Sequence, residues 1–279
     1  MIARELVLLC LIWGMNWVVM KLGNGYFSPV LFAALRFGLC VFIMLPLTLI
    51  VDRSLPPRAL WPYVALTGAM QIAYNNAVMQ LCIANLGSGL SAVLNYTMPL
   101  WVALLAALFL GESLSIRKIA GLLISLMGLV LILNIEFQGS ALYVLLALSA
   151  SLVWAAASIV VKRKLTSMSM LSLTAWQIVA GAALLLPAAY FSGQTAYTVS
   201  GGAALCLLYN VLLASALAFF LWSDLLRRMA ASKLAACSLC IPVVGVTGSV
   251  VFLDERLTLS MALGMGLVLL GIWAVLRAR

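Results

Sequence analysis

The sequence predicts an all-α membrane protein with ten transmembrane helices, arranged as two inverted five-helix repeats. Of its 279 residues, 66% are apolar and only 8% are charged, and the mean hydropathy is +1.21. Soluble domains do not have this composition. The chain also contains ten apolar stretches long enough to cross a bilayer, which requires about 20 helical residues. Finally, many residues recur at an interval of about half the chain, which indicates an internal duplication.

The duplication is visible in single residues of the two halves. Equivalent positions are 141 residues apart early in each half and 143 apart later, as in the pairs Trp13 and Trp154, Lys21 and Lys162, Arg36 and Gln177, Pro46 and Pro187, Pro99 and Pro242, Glu112 and Glu255, Gly121 and Gly264, and Gly128 and Gly271. We divide the chain into a first repeat, 1–137, and a second repeat, 138–279. Because five spans is an odd number, the second repeat must enter the bilayer from the opposite side.

Hydropathy gives the approximate limits of the spans. They lie at 5–20, 28–51, 60–83, 88–110 and 116–133 in the first repeat, and at 141–161, 170–191, 202–222, 234–253 and 258–276 in the second. If the N-terminus is cytoplasmic, 13 of the 16 basic residues are cytoplasmic, Lys21 and Arg256 are outside, and Arg36 is within a span. This bias predicts that both termini are cytoplasmic.

The first span has one distinctive face, formed by Trp13, Asn16, Trp17 and Met20 at positions i, i+3, i+4 and i+7. An indole N–H near the middle of a span needs a hydrogen-bond partner that hydrocarbon cannot supply. We therefore interpret this face as a cavity wall. The equivalent segment around Trp154 lies mid-chain, so we expect the first span to be retained and not removed as a signal peptide.

The second span contains the cation Arg36, about 12 Å below the nearer boundary at a rise of 1.5 Å per residue. No acidic residue lies at a comparable depth in any span, so the sequence offers no obvious counter-ion. Two interpretations remain open. Arg36 binds an anionic group of a substrate, for instance a carboxylate, or it has a structural role, in which it extends to the interface or caps carbonyls of a broken helix.

The third and fourth spans carry further polar side chains. The third has Gln71, Tyr74, Asn75 and Val78 on one face and Asn76 and Gln80 on another, and the fourth has Ser88, Ser91, Asn95 and Val102 on one face. Amides on two faces cannot all line one cavity, so some must bridge helices.

Pro99 and Pro242 are predicted to interrupt their helices, because each proline frees the carbonyl four residues earlier, that of Asn95 or Ser238. We expect these prolines to form hinges, and the alternative is a static kink.

The second repeat supplies a different set of candidates. They are Trp154 and Ser158 in the sixth span, Trp176 and Gln177 in the seventh, and Tyr209 and Asn210 in the eighth. Because neutral Gln177 replaces Arg36, the site is asymmetric and suits an amphipathic molecule. The fifth and tenth spans carry small residues, Gly121, Ser125, Gly128, Gly264, Gly266 and Gly271, and we interpret them as packing scaffold.

Several function classes are disfavoured by what the sequence lacks. The net charge of +9 is dispersed over cytoplasmic segments without a recognition fold, so we expect no nucleic-acid partner. The chain has no histidine, and the pair Cys237 and Cys240 stands alone, so we expect no metal or other cofactor. A membrane-embedded transferase, the enzyme alternative, would need paired acids with magnesium or a histidine base. We therefore expect no enzymatic activity.

Short motifs in both halves resemble the drug/metabolite transporter superfamily in its ten-helix EamA-type form. The motifs are LIWGMNW at 11–17, ALRF at 34–37, LNYTMPLW at 94–101, FLGESL at 109–114, LSLTAWQ at 171–177 and FLDERL at 252–257. The resemblance covers the whole chain and implies two inverted repeats around a central cavity that exports amphipathic metabolites through the bacterial inner membrane. The LNYTMP motif is most similar to the form in amino-acid and cystine exporters.

These observations together predict an exporter of amino acids or related metabolites that works by alternating access. The predicted substrate-binding residues are Trp13, Asn16, Trp17, Arg36, Tyr74, Asn75, Asn95, Trp154, Ser158, Trp176 and Gln177, with hinges at Pro99 and Pro242. The alternatives are a carrier for quaternary ammonium or drug-like cations, held by tryptophans through cation–π contacts, and a channel. The expected partners are a small-molecule substrate and the lipid bilayer. Because the fused halves already supply opposed partners, we expect a monomer.

Overall fold

The computed structural model describes residues 2–53, 55–133, 140–252 and 258–278. Some sequence predictions fall outside these residues, namely the repeat partner Glu255, the outside cation Arg256 and most of the motif at 252–257. The side chain of Ser88, predicted to share a face with Asn95, is likewise not described.

Helices account for nearly all of the described chain. They are α1 (Ile2–Gly23), α2 (Pro29–Val51), α3 (Trp61–Gly68), α4 (Asn75–Asn95), α5 (Met98–Leu110), α6 (Ile116–Leu133), α7 (Ala141–Val160), α8 (Met170–Phe191), α9 (Gly201–Tyr209), α10 (Ala218–Arg228), α11 (Ala231–Cys237), α12 (Cys240–Phe252) and α13 (Leu259–Arg277). A 3₁₀ turn, Arg58–Leu60, precedes α3. Among the described residues, the β-type pairing is limited to one bridge between Phe27 and Tyr197.

Three π-helical turns continue these helices without a break. Ala69–Tyr74 joins α3 to α4, Asn210–Leu217 joins α9 to α10, and Val161–Leu165 extends α7. The first two lie at equivalent positions of the two halves, 141 residues apart. Such turns often mark functional sites in helical proteins.

Many of the helices have the length and the apolar composition of membrane-spanning segments. Seven helical stretches among the described residues are long and apolar enough to span one, Ile2–Gly23, Pro29–Val51, Gly89–Leu110, Ala141–Leu165, Met170–Phe191, Gly201–Arg228 and Leu259–Arg277, and Ala231–Thr247 is a shorter apolar helix. Large apolar side chains such as Phe42, Leu108 and Phe191 are more than half exposed. Water would penalise that exposure, whereas hydrocarbon does not. The protein is therefore a multi-pass membrane protein.

A turn at Gly87 divides α4 into two differently directed parts. Its backbone has φ of 78° and ψ of 164°, a conformation that residues with a Cβ rarely adopt. The part before Gly87 continues α3 and the π-helical turn, whereas the part after it leads toward α5. This glycine therefore separates two of the spans expected from hydropathy.

Corresponding helices of the two halves pack against each other in antiparallel orientation. A Cβ on Gly121 would lie 2.6 Å from the Gly271 carbonyl oxygen, and one on Gly128 would lie 2.5 Å from that of Gly264. The Ser125 hydroxyl also donates to the Val268 carbonyl at 3.1 Å. Rising numbers in α6 thus meet falling numbers in α13, and small residues allow this close backbone approach.

We expect Gly128→Ala to destabilise the protein by about 1–3 kcal/mol, because its methyl group would collide with the Gly264 backbone. Gly266→Ala is the matched control, since no atom lies within 4 Å of a Cβ at Gly266 and alanine favours helix. The midpoint of thermal unfolding in detergent measures both effects. Equal midpoints for the two variants would contradict the proposed close packing of α6 and α13.

Candidate functional site

A cavity of about 90 Å³ lies between elements of both halves of the chain. Its walls come from α1, α2, α4, α5, α7, α10 and α12 and from the breaks between α4 and α5 and between α11 and α12. The lining side chains are Trp13, Asn16, Trp17, Met20, Arg36, Asn75, Asn76, Met79, Asn95, Tyr96, Met98, Trp154, Phe219, Ser238 and Ile241. This volume holds several water molecules but is below the ~300–1,000 Å³ typical of small-molecule sites. A metabolite would therefore require the cavity to widen.

Arg36 is the charged member of the wall and is only 2% exposed. Its Nε donates to the Ser215 hydroxyl at 2.6 Å, and one terminal nitrogen donates to the Ala214 carbonyl at 3.3 Å. The other terminal nitrogen lies 3.9 Å from the Met20 sulfur. Ser215 and Ala214 belong to the π-helical turn between α9 and α10. The contacts to Ser215 and Ala214 fit the structural interpretation of Arg36, in which it caps groups of an irregular helix.

In the described part of the chain, no acidic side chain pairs with the positively charged Arg36. Among the described residues, the ion pairs involve only Asp224, Arg227, Arg228 and Glu5, and none involves Arg36. A guanidinium has five N–H groups, and the three contacts of Arg36 use three of them. A buried cation is stabilised by an anion that can also accept its remaining hydrogen bonds. The cavity wall therefore favours a ligand with a negatively charged group.

Aromatic rings form the apolar wall of the cavity. The ring centroid of Trp13 lies 5.8 Å from that of Trp154 and 5.7 Å from that of Phe219, in edge-on geometry. The Trp13 N–H donates to the Ala214 carbonyl at 3.1 Å, so this carbonyl accepts from both Trp13 and Arg36. The Trp154 N–H has no partner within the described part of the chain. This wall offers apolar contact together with one unused donor.

Amide and hydroxyl groups complete the wall. The Asn16 side chain is 6% exposed, and its Oδ1 has no hydrogen-bond partner among the described residues. Asn75 donates to the Ala150 carbonyl at 3.0 Å, and the Trp17 N–H donates to the Tyr96 hydroxyl at 3.0 Å. Asn16 therefore supplies an unused hydrogen-bond acceptor in the same cavity wall as Arg36. Such an acceptor can bind a hydrogen-bond donor of a ligand.

Both prolines predicted to be hinges lie at helix breaks beside the cavity. The break between α4 and α5 precedes Pro99, which lies in the first turn of α5, and the break between α11 and α12 precedes Pro242. Proline suits a first helical turn because its missing N–H would be unpaired there anyway. The expectation of an unpaired Ser238 carbonyl is wrong, since it accepts the Ile241 N–H at 3.0 Å in a tighter turn.

Four of the predicted substrate-binding residues do not line the cavity. Gln177 donates to the Thr67 hydroxyl at 2.8 Å, and Gln71 donates to Ser158 at 3.2 Å, so Gln177 and Ser158 belong to a buried network that joins the two halves. Tyr74 is 38% exposed and hydrogen-bonds Ser149, with the two hydroxyl oxygens 2.7 Å apart. Trp176 lies against Trp61, with ring centroids 5.3 Å apart.

Several residues of the site are not predictable from the sequence pattern. Phe219, Tyr96, Met79 and Ile241 line the cavity, and Ser215 holds Arg36. Apolar residues in apolar spans carry no signal that distinguishes a cavity wall from a lipid-facing surface. Tyr96 follows Asn95 in the LNYTMPLW motif at 94–101, and its polar hydroxyl is a signal that could identify it as a candidate for the cavity wall.

A second polar cluster joins the halves beyond the cavity. The Glu112 carboxylate, just after α5, accepts the backbone N–H groups of Ala231 at 2.7 Å and Ser232 at 3.2 Å, and also the Ser232 hydroxyl. Lys118 is 3% exposed, and its Nζ donates to the Ser232 hydroxyl at 3.2 Å. Glu112 thus caps the first turn of α11 from the other half of the chain, where a negative charge is stabilising. Glu5 pairs with Arg228 as another contact between the halves.

Within the described ranges, no three His, Cys, Asp or Glu side chains are close enough to hold a metal ion. The site offers instead a cation, an aromatic wall and unused hydrogen-bond groups.

Comparisons with known proteins agree with this description. The sequence profile of the EamA-like transporter family matches residues 5–134 and 141–277. The chain is 30% identical over 272 residues to the "Uncharacterized transporter YoaV" of Bacillus subtilis (strain 168), covering 94% of this chain and 92% of that one. It is 28% identical over 281 residues to a "Probable amino-acid metabolite efflux pump" of Escherichia coli (strain K12), covering 96% and 92%.

A solved crystal structure has the same fold. It superimposes with a TM-score of 0.83 at 19% sequence identity and covers 98% of this chain and 95% of that chain. At this identity the likeness concerns the fold alone. The family profile spans nearly the whole chain and the relatives match over nearly their full length, so the chain belongs to the EamA-like transporter family.

Proposed function

We propose that this transporter exports amino acids or related small amphipathic metabolites by alternating access. The observation that carries the proposal is buried Arg36, which lines a cavity between the two halves and has no acidic partner among the described residues. A substrate carboxylate would balance its charge and accept its remaining N–H groups. The Escherichia coli relative is named a probable amino-acid metabolite efflux pump, which supports the same substrate class.

The other cavity groups suit the remainder of such a molecule. The unused Oδ1 of Asn16 would accept a hydrogen bond from the ammonium group of the substrate. The unused Trp154 N–H would donate a hydrogen bond to the second oxygen of its carboxylate. Apolar substituents would pack against Trp13, Trp154 and Phe219. This division into a charged side and an aromatic side favours a zwitterion with an apolar substituent over a purely apolar compound.

Two inverted repeats, 1–137 and 138–279, would give ten membrane crossings around this cavity. The antiparallel packing of α6 on α13 supports inversion, because these helices correspond between the halves. Helices α2 and α8 also correspond, and they are also antiparallel. Gly38 lies beside Leu186, whereas Thr48, further along α2, donates to the carbonyl of Leu171, which lies earlier in α8. The matched π-helical turns agree with the same duplication.

Movement would take place at the two helix breaks. The cavity is too small for most metabolites, so binding requires the walls to separate. The segments before Pro99 and Pro242 carry Asn95, Tyr96 and Ser238 into the wall, and rotation there would widen it. We place the protein in the inner membrane. We orient both termini toward the cytoplasm, because basic residues concentrate on that side. We propose a monomer, because the two fused halves already supply opposed partners.

A ligand screen tests the proposed substrate class. Purified protein is heated with amino acids, their amides and quaternary ammonium compounds, and thermal stabilisation reports binding. We expect α-amino acids with apolar side chains to raise the unfolding midpoint and their amides to raise it much less. Stabilisation by quaternary ammonium compounds alone would favour the rival carrier for cations, which the aromatic wall of Trp13, Trp154 and Phe219 could hold.

A further inference from the structure

An open groove lies on the outer surface of the helix bundle, away from the central cavity. It has a volume of about 690 Å³ and runs between α2, the start of α8, and the π-helical turn with α10. Leu47, Leu212 and Phe220 are among its apolar walls, and Asp52, Asp224 and Arg227 lie at one end. The groove is thus apolar along its length and charged at its mouth.

The mouth contains an acidic group, Asp52, that has no cationic partner within the residues that the structure describes. Asp224 pairs with Arg227 at 2.8 Å and also pairs with Arg228. Asp52 ends α2 and takes part in no ion pair among the described residues, and its buried Oδ2 has no hydrogen-bond partner there. A buried carboxylate oxygen without a donor is costly, so the mouth is complementary to a group that donates hydrogen bonds and carries positive charge.

The position of the groove indicates the rest of the ligand. Its walls belong to Pro29–Val51, Met170–Phe191 and Gly201–Arg228, helical stretches apolar enough to span a membrane. The walls therefore face acyl chains, and the charged mouth at the helix ends lies near the lipid headgroups. The Arg227 side chain is 43% exposed and pairs with one carboxylate within the described ranges, so a phosphate can also reach it.

We propose that this groove binds a phospholipid with a primary-amine headgroup of the ethanolamine type. One acyl chain lies along Leu47, Leu212 and Phe220, the ammonium donates to Asp52, and the phosphate contacts Arg227. A choline headgroup has no N–H to donate, and a glycerol headgroup carries no cation to match Asp52. The groove therefore discriminates among lipids that share the same acyl chains. This inference is independent of the cargo of the central cavity.

Native mass spectrometry of delipidated protein tests the proposal. The protein is titrated with an equimolar mixture of phosphatidylethanolamine, phosphatidylcholine and phosphatidylglycerol that share the same acyl chains. We expect the first to bind about tenfold more tightly than the second, through hydrogen bonds to a charged group. Asp52→Asn should remove that preference. Glu112→Gln, which removes a carboxylate outside the groove and outside the ion pairs at its mouth, should retain it.

Two outcomes would overturn the proposal. One is wild-type protein that binds the three lipids equally or prefers the glycerol headgroup, a result that needs no variant to fold. The other is an unchanged ethanolamine preference in Asp52→Asn. As a second variant, Ala216→Phe fills part of the groove from its wall and should reduce binding of all three lipids.

Discussion

Replacing Arg36 with Gln is expected to weaken binding of carboxylate-bearing ligands by about 10- to 100-fold, which corresponds to the loss of hydrogen bonds to a charged group. The amide analogues of the same ligands should lose less than about threefold, because they bring no negative charge for Arg36 to balance. Arg36 is 2% exposed and has no acidic partner among the described residues, so the ligand carboxylate would be its counter-ion. Thermal-shift titrations of acid and amide pairs measure the difference.

Two controls separate recognition from structure in this experiment. Ser215→Ala removes the hydroxyl that accepts from Arg36 Nε but keeps the positive charge, so carboxylate preference should persist. Arg36→Lys keeps the charge but not the planar geometry, and should recover part of the preference. Equal losses for acids and amides in Arg36→Gln would show that Arg36 serves only to cap the π-helical turn through Ala214 and Ser215.

Replacing Glu112 with Ala is expected to lower stability by about 2–4 kcal/mol. The carboxylate accepts three hydrogen bonds from Ala231 and Ser232, so its loss leaves the first N–H groups of α11 without their acceptor. It also removes the negative charge near Lys118, which is itself buried. Glu112→Gln keeps an acceptor but no charge and should lose about 1 kcal/mol. Thermal or denaturant unfolding followed by tryptophan fluorescence measures the series.

Glu5→Gln is the matched control for Glu112, because it also breaks a contact between the halves. The Glu5 and Arg228 side chains are 23% and 24% exposed, and such pairs contribute about 0–1 kcal/mol. Glu112 differs from Glu5 in capping α11 and in lying near the buried Lys118. A loss in Glu112→Ala no greater than in Glu5→Gln would contradict the capping role.

Hydropathy predicted the extent of most helices closely, because a lipid-facing segment must be apolar along its length. The predicted spans at 116–133 and 170–191 coincide with α6 and α8. The largest difference is the span predicted to end at Trp222, where the helix continues to Arg228. Four of the six added residues, at 223–228, are polar, and arginine favours helix without being apolar, so a hydropathy criterion stops before the helix ends.

The candidate site was harder to predict than the fold. Trp13, Asn16 and Trp17 could be grouped because a helix places i, i+3 and i+4 on one face, and all three line the cavity. Gln177 and Ser158 form hydrogen bonds between helices instead, since the rotation of each helix is set by partners distant in sequence. The π-helical turn that carries Ser215 leaves no pattern in the sequence that hydropathy could detect.

In the proposed mechanism, the two halves carry a small molecule through a shared cavity by alternating access. Exchange in proteoliposomes tests it most directly, with radiolabelled apolar amino acid outside and the same unlabelled amino acid inside. We predict saturable uptake that is several-fold faster with preloaded vesicles than with empty ones, and loss of this stimulation in Arg36→Gln. Uptake that never saturates and is unaffected by preloading would indicate a channel and would contradict the account.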